Sequence, residues 1–270
     1  MRWSATAVLS LAIVFGAAGP ASATSILGNF VVVGSGHDLD PAFGGGTIQD
    51  VFEAAASYWE QFLVSDRTIT IDYYWDDINT GVLAFGGLDV IGIIQDNPWF
   101  VDPTPLDSSE YSSFTATPFT LGGVDLTYSL RYSGGLDPAN GFDLLTVMLH
   151  EIGHVLAGAN VSPDCQDGDI DVTAPSPFPG LEIPTEGCFH LARPTGYVGP
   201  NPLMFPFLNG GERSLIADPD LLFVAQAGEF QIDPSRFAAV PEPATVSLLG
   251  IGLAAGAARR LRPRARAFRP

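Results

Sequence analysis

The chain has 270 residues, 46% of them hydrophobic, and twelve arginines against thirty acidic residues give a net charge of −18. That length buries a full hydrophobic core. The charge excludes an electrostatic partnership with nucleic acid, whose phosphates demand a basic surface.

Residues 1–23 carry Arg2, an apolar run over 5–18 and the triplet Ala21-Ser22-Ala23. A positive start, an apolar stretch and an A-x-A cleavage site predict a signal peptide, with Thr24 as the mature N-terminus. In the core that follows, a strand is expected over 26–33. Gly34-Ser35-Gly36-His37-Asp38 and Gly44-Gly45-Gly46 are loops. Apolar residues at Ile48, Val51, Phe52, Ala55, Tyr58, Trp59, Phe62 and Leu63 recur at helical spacing, with Thr47 or Gly46 near the cap. Residues 68–74 alternate as a strand does, and the glycine-rich 82–94 forms a second strand region. The Pro- and Asp-rich 97–113 are predicted as a surface loop. Strands follow over 114–132 with a turn at Gly122-Gly123, then a loop over 134–141.

A helix beginning near Asp143 carries His150-Glu151-Ile152-Gly153-His154. Histidines at i and i+4 leave the same helix face and can share one metal ion, while Glu151 stands beside it, free to act as a base. Residues 144–149 are almost wholly apolar, so the helix is buried, and buried histidine needs a partner. Zinc in a catalytic site takes three protein ligands and keeps one position open. The third ligand does not follow locally, because Asn160 stands where a further histidine would complete a contiguous motif. Cys165 and Cys188 are the only cysteines of an exported chain, so they are expected to pair. The bond returns Cys188 to the end of the metal helix, and His190 follows two residues later. His190 is therefore the favoured third ligand, with Asp164, Asn160 and His37 as alternatives. Asp167, Asp169 and Asp171 suit calcium chemistry, although a solvated acidic loop is the plainer reading of them. Gly210-Gly211-Glu212-Arg213 reads as a turn, and 218–228 as a closing helix capped by Asp218.

Downstream, Val240-Pro241-Glu242-Pro243-Ala244-Thr245 precedes thirteen apolar residues over 246–258 and six arginines between Arg259 and Arg269. Such a run is short for the hydrocarbon core and implies a transient membrane anchor. The tail resembles the PEP-CTERM sorting signal of Gram-negative bacteria. The resemblance implies an exosortase-type processing partner and delivery to the cell surface or beyond, often alongside exopolysaccharide. Without signal and tail, residues 24–239 hold five arginines against twenty-nine acids, a net charge of −24. Divalent cations, a saline habitat or solubility are each consistent with that acidity.

The order of early helix, strands and buried H-E-x-x-H helix resembles the zincin fold. That resemblance implies an α+β domain over 24–239 with a twisted mixed sheet packed on the two helices. It also implies an edge strand that binds extended peptide, for which 82–94 are candidates. Asn201-Pro202-Leu203-Met204-Phe205-Pro206 resembles the metzincin Met-turn, with Met204 under the metal. The interrupted zinc motif, late histidine and Met-turn together resemble leishmanolysin-type metzincins. They also resemble bacterial metalloproteases that carry the PEP-CTERM tail. The implied activity is hydrolysis of a protein or peptide substrate at zinc held by His150, His154 and His190, with Glu151 as general base and Tyr197 as a possible assistant. The competing expectation is a non-catalytic surface or exopolysaccharide-associated matrix protein that keeps zinc for stability. The intact Glu151 separates the two, because a structural site has no use for a base.

Overall fold

The computed structural model describes residues 24–33, 44–77, 81–135, 141–158, 165, 168–174, 178–233 and 237. The signal segment, His37, Asn160, Asp164, Asp167 and the C-terminal tail lie outside the described residues. The chain is α+β. In order it forms β1 (Ser25–Phe30), α1 (Ile48–Glu60), β2 (Leu63–Val64), β3 (Thr68–Asp76), β4 (Ala84–Gly87), β5 (Val90–Ile94) and β6 (Trp99–Phe100). Then come β7 (Ser113–Leu121), β8 (Val124–Ser133), β9 (Phe142–Asp143), α2 (Leu144–Ala157), β10 (Asp169–Val172), β11 (Leu181–Glu186) and β12 (His190–Leu191). β13 (Glu212–Leu215), α3 (Asp218–Gly228) and β14 (Gln231–Ile232) close the described chain.

A four-stranded sheet has the order β1-β3-β5-β4. Its first three strands are parallel and β4 runs antiparallel at the edge. The glycine-rich region thus folds as a hairpin whose first strand is the rim. The sheet packs over α1 and α2. Thr47 caps α1, its hydroxyl accepting from the Asp50 amide at 3.1 Å. Val51, Phe52, Ala55 and Trp59 form the buried stripe of α1, and Trp59 Nε1 donates to the Leu149 carbonyl of α2 at 3.0 Å. Asp143 caps α2 by accepting from the Thr146 amide at 2.9 Å. Every residue of α2 except His154 is buried, so this helix is the spine of the domain. Two further antiparallel sheets, β13-β8-β7 and β10-β11-β12, flank it.

Three expectations are corrected. The 97–113 segment is not a surface loop, since Trp99, Phe100, Val101, Asp102 and Tyr111 are buried and β6 pairs with β9 beside the start of α2. Glu212–Leu215 is strand β13, paired with β8, instead of part of a turn. The closing helix is capped at Ala217, whose amide donates to Asp220; the Asp218 carboxylate instead accepts from the Thr127 amide.

Arg213 ties these parts together. Its guanidinium is fully buried and reaches Asp143 at 2.9 Å, Asp102 at 2.8 Å and Glu110 at 2.9 Å. Burial alone would lower its pKa, but the Asp143 carboxylate outweighs that and holds it well above its usual range.

Candidate metal centre

The three histidines meet. His154 Nε2 lies 3.0 Å from His150 Nε2 and 3.1 Å from His190 Nε2. Two ligands of a tetrahedral zinc, each 2.0–2.1 Å from the ion, would have nitrogens about 3.3 Å apart, so the triad fits that metal. His150 and His154 arrive on one face of α2, as the i, i+4 spacing requires. His190 arrives on β12, which pairs with β11 through Glu186↔His190 and Thr185↔Leu191. Cys165 and Cys188 form the expected disulfide, with Cα atoms 5.9 Å apart. The bond anchors the turn just before His190 to the chain beyond α2. Among the described residues, these histidines are the one group arranged to hold a metal ion, and Asp169 and Asp171 belong to no such group.

The ring of His150 is fixed by its other nitrogen. Its Nδ1 lies 2.8 Å from the Leu203 carbonyl, which can only accept, so Nδ1 carries the proton and Nε2 offers its lone pair. Burial lowers His150 to about 4 and His154 to about 2, and lowers His190 as well. The rings are therefore neutral at pH 7, the form that ligates metal. Burial pushes Glu151 up to about 8. Met204 is fully buried beneath the helix. Its sulfur fills the space a side chain at Gly153 would need, 2.4 Å from where a Cβ would stand.

The triad and Glu151 line a cleft of about 720 Å³. Edge strand β4 and Val82 form one wall. Phe189 and Phe207 also line the cleft, both exposed. Phe142, Val147, Pro206 and Leu208 contribute further apolar lining, and Asp96 is the remaining acidic group in it. Tyr197 is not among the lining residues. Its hydroxyl donates to the Pro200 carbonyl at 2.5 Å and its ring packs on Phe119 and Tyr128, so it has no place at the site.

Sequence reasoning missed the carboxylate under the 203–204 turn. Asp220 of α3 is fully buried and accepts from the amides of Met204 at 2.7 Å, Ala217 at 2.9 Å and Leu203 at 3.2 Å. Nothing in the sequence marks a bond to a main-chain amide; only an acid inside an apolar helix hinted at one.

The far end of the chain carries a family likeness. Residues 239–262 match the PEP-CTERM protein-sorting motif. This tail marks an exported, cell-surface protein of the exosortase system. Neither the curated proteins nor the solved structures gave a match to the chain. Among the described residues no helix is long and apolar enough to cross a membrane, and the 246–258 run lies outside them.

Proposed function

We propose that the protein is an exported zinc-dependent endopeptidase of metzincin-like, leishmanolysin-type design. The observation that carries this reading is the convergence of three imidazole Nε2 atoms beside Glu151 in one open cleft. His150, His154 and His190 would hold the metal. Zinc bound there would supply Lewis acidity, lowering the pKa of water and polarising a peptide carbonyl. In its ionised form, which the charge of a bound divalent cation would favour, Glu151 would take the proton from the attacking water and deliver it to the leaving amine. The cleft wall provided by β4 supports binding of an extended chain, since the outer edge of that strand pairs with no other strand of its sheet. A protein that kept zinc for stability alone would gain nothing from a buried carboxyl at position 151, where ionisation is costly.

The test is cleavage of casein or gelatin by the purified protein with zinc, set against Glu151→Ala. A loss of at least a hundredfold in rate is expected for the variant. Equal rates in the two proteins would end the peptidase reading and leave the matrix-protein alternative. A separate measurement of zinc content in His190→Ala, with full occupancy retained, would remove His190 from the ligand set.

A further inference from the structure

We propose that Asp220 is a positioning residue for the metal centre, acting on His150 through the single peptide group that joins Leu203 and Met204. The inference rests on the metal-site reading above and extends it to a buried residue that does not line the cleft.

The Leu203 carbonyl and the Met204 amide belong to one planar, conjugated unit. Its N–H end donates to Asp220 Oδ1 at 2.7 Å. Its C=O end accepts from His150 Nδ1 at 2.8 Å. A carboxylate on the N–H end draws electron density toward the carbonyl oxygen and makes it a stronger acceptor. A stronger acceptor on Nδ1–H makes Nε2 the better metal ligand and locks the ring orientation. The same turn serves the second ligand strand: the Met204 carbonyl accepts from the Leu191 amide at 2.9 Å, one residue beyond His190. Asp220 thus holds the turn from which both His150 and the His190 strand are positioned.

Two features favour a role beyond closing the helix. Burial pushes Asp220 up to about 7 in spite of three amide donors, so the fold keeps a carboxylate where its charge is costly. Its neighbour Asp218 provides the contrast. It is also buried and also bonds a main-chain amide, at 2.6 Å, but that amide is Thr127 in β8, away from the triad.

The experiment compares the mature protein with Asp220→Asn and Asp218→Asn. Zinc affinity is measured by competition with a chromophoric chelator, and the visible spectrum of the cobalt-loaded protein is recorded. Asp220→Asn is expected to bind zinc 10- to 100-fold more weakly, with an altered cobalt spectrum, because that is the usual effect of losing an outer-shell partner. Asp218→Asn is expected to keep both properties. A folded Asp220→Asn with unchanged affinity and spectrum overturns the inference. Should that variant fail to fold, Asp220→Glu retains the charge at an altered distance and is expected to show weakened binding. If neither folds while Asp218→Asn does, Asp220 serves the fold alone and the inference is overturned. Wild-type protein that binds no zinc overturns the metal centre itself, a result distinct from equal binding by wild type and variant.

Discussion

Gly86 of edge strand β4 lies directly against Glu151 of α2. A Cβ added at Gly86 would stand 2.6 Å from the Glu151 carbonyl oxygen and 2.9 Å from its Oε2. The rim of the cleft therefore touches the proposed base with backbone, and only glycine allows that approach.

Gly86→Ala is expected to push β4 off the helix, because the nearer obstruction is main chain and cannot rotate away. Overpacking of this kind costs roughly 1–3 kcal/mol. Proteolytic rate should fall further than stability alone accounts for, since the strand and Glu151 separate together. Denaturant unfolding alongside kcat/KM checks this. Wild-type values of both would mean that β4 does not sit on Glu151 in solution.

Cys165→Ser with Cys188→Ser should destabilise the protein by about 3 kcal/mol, the chain-entropy value for a loop of this size. It should also weaken zinc retention, because Cys188 anchors the turn that presents His190. Reducing and oxidising conditions applied to the wild type offer the same comparison. Identical unfolding midpoints with and without a dithiol reductant would count against this role.

Asp143→Ala removes the α2 cap, usually a loss of about 1 kcal/mol. Here it also strips the buried Arg213 guanidinium of a carboxylate that two of its nitrogens reach, and breaking such a pair costs about 3–5 kcal/mol. The variant should therefore lose several times more stability than the Thr47→Ala cap variant of α1. A thermal melt of each variant gives the comparison, and similar losses would mean that Arg213 finds compensation from Asp102 and Glu110.

The metal-free protein should lose stability between about pH 6.5 and 8. Asp220 and Glu151 are raised to about 7 and 8, so in that window the folded state binds more protons than the unfolded one. Stability then falls as pH rises. Below about 6.5 the histidines oppose the carboxyls: their folded pKa values are lowered and the unfolded chain takes up the extra protons, so the fall with pH should be shallower there. Denaturant midpoints of chelator-treated protein should fall from about pH 6.5 to 8, with Glu110, also raised to about 7, adding to the trend. A steady rise toward pH 8 would show the buried carboxyls to be ionised and well paired.

The parts of this molecule that were legible in the sequence are those governed by spacing or by scarcity. The i, i+4 histidines, the periodic apolar face of α1 and the alternation of β3 each follow from a repeat of 3.6 or 2. With two cysteines in an exported chain, the disulfide had one possible pairing, and His190 followed from its place beside Cys188. What escaped notice involves main chain or buried charge. The 97–113 segment looked exposed because it is rich in Pro and Asp, yet its aspartate at 102 is buried against Arg213, and Trp99 and Tyr111 are core residues. The edge strand lies within 82–94 as expected, but its division into the antiparallel pair β4 and β5 was hidden, because glycines there permit close backbone approach and carry no pattern. Asp220 and Gly86 act through backbone atoms that every residue shares.

The arrival of His190 from 36 residues beyond His154 has a consequence for the order of assembly. Two histidines are aligned as soon as α2 coils, an event of local contacts and rapid kinetics. The third is aligned only when the intervening segment has closed its loop, formed β11 and β12 and settled on the Met204 carbonyl. Full metal coordination thus requires long-range closure, which the α2 pair alone does not. A chain that has formed α2 but not the disulfide-closed loop carries only two of the three proposed ligands.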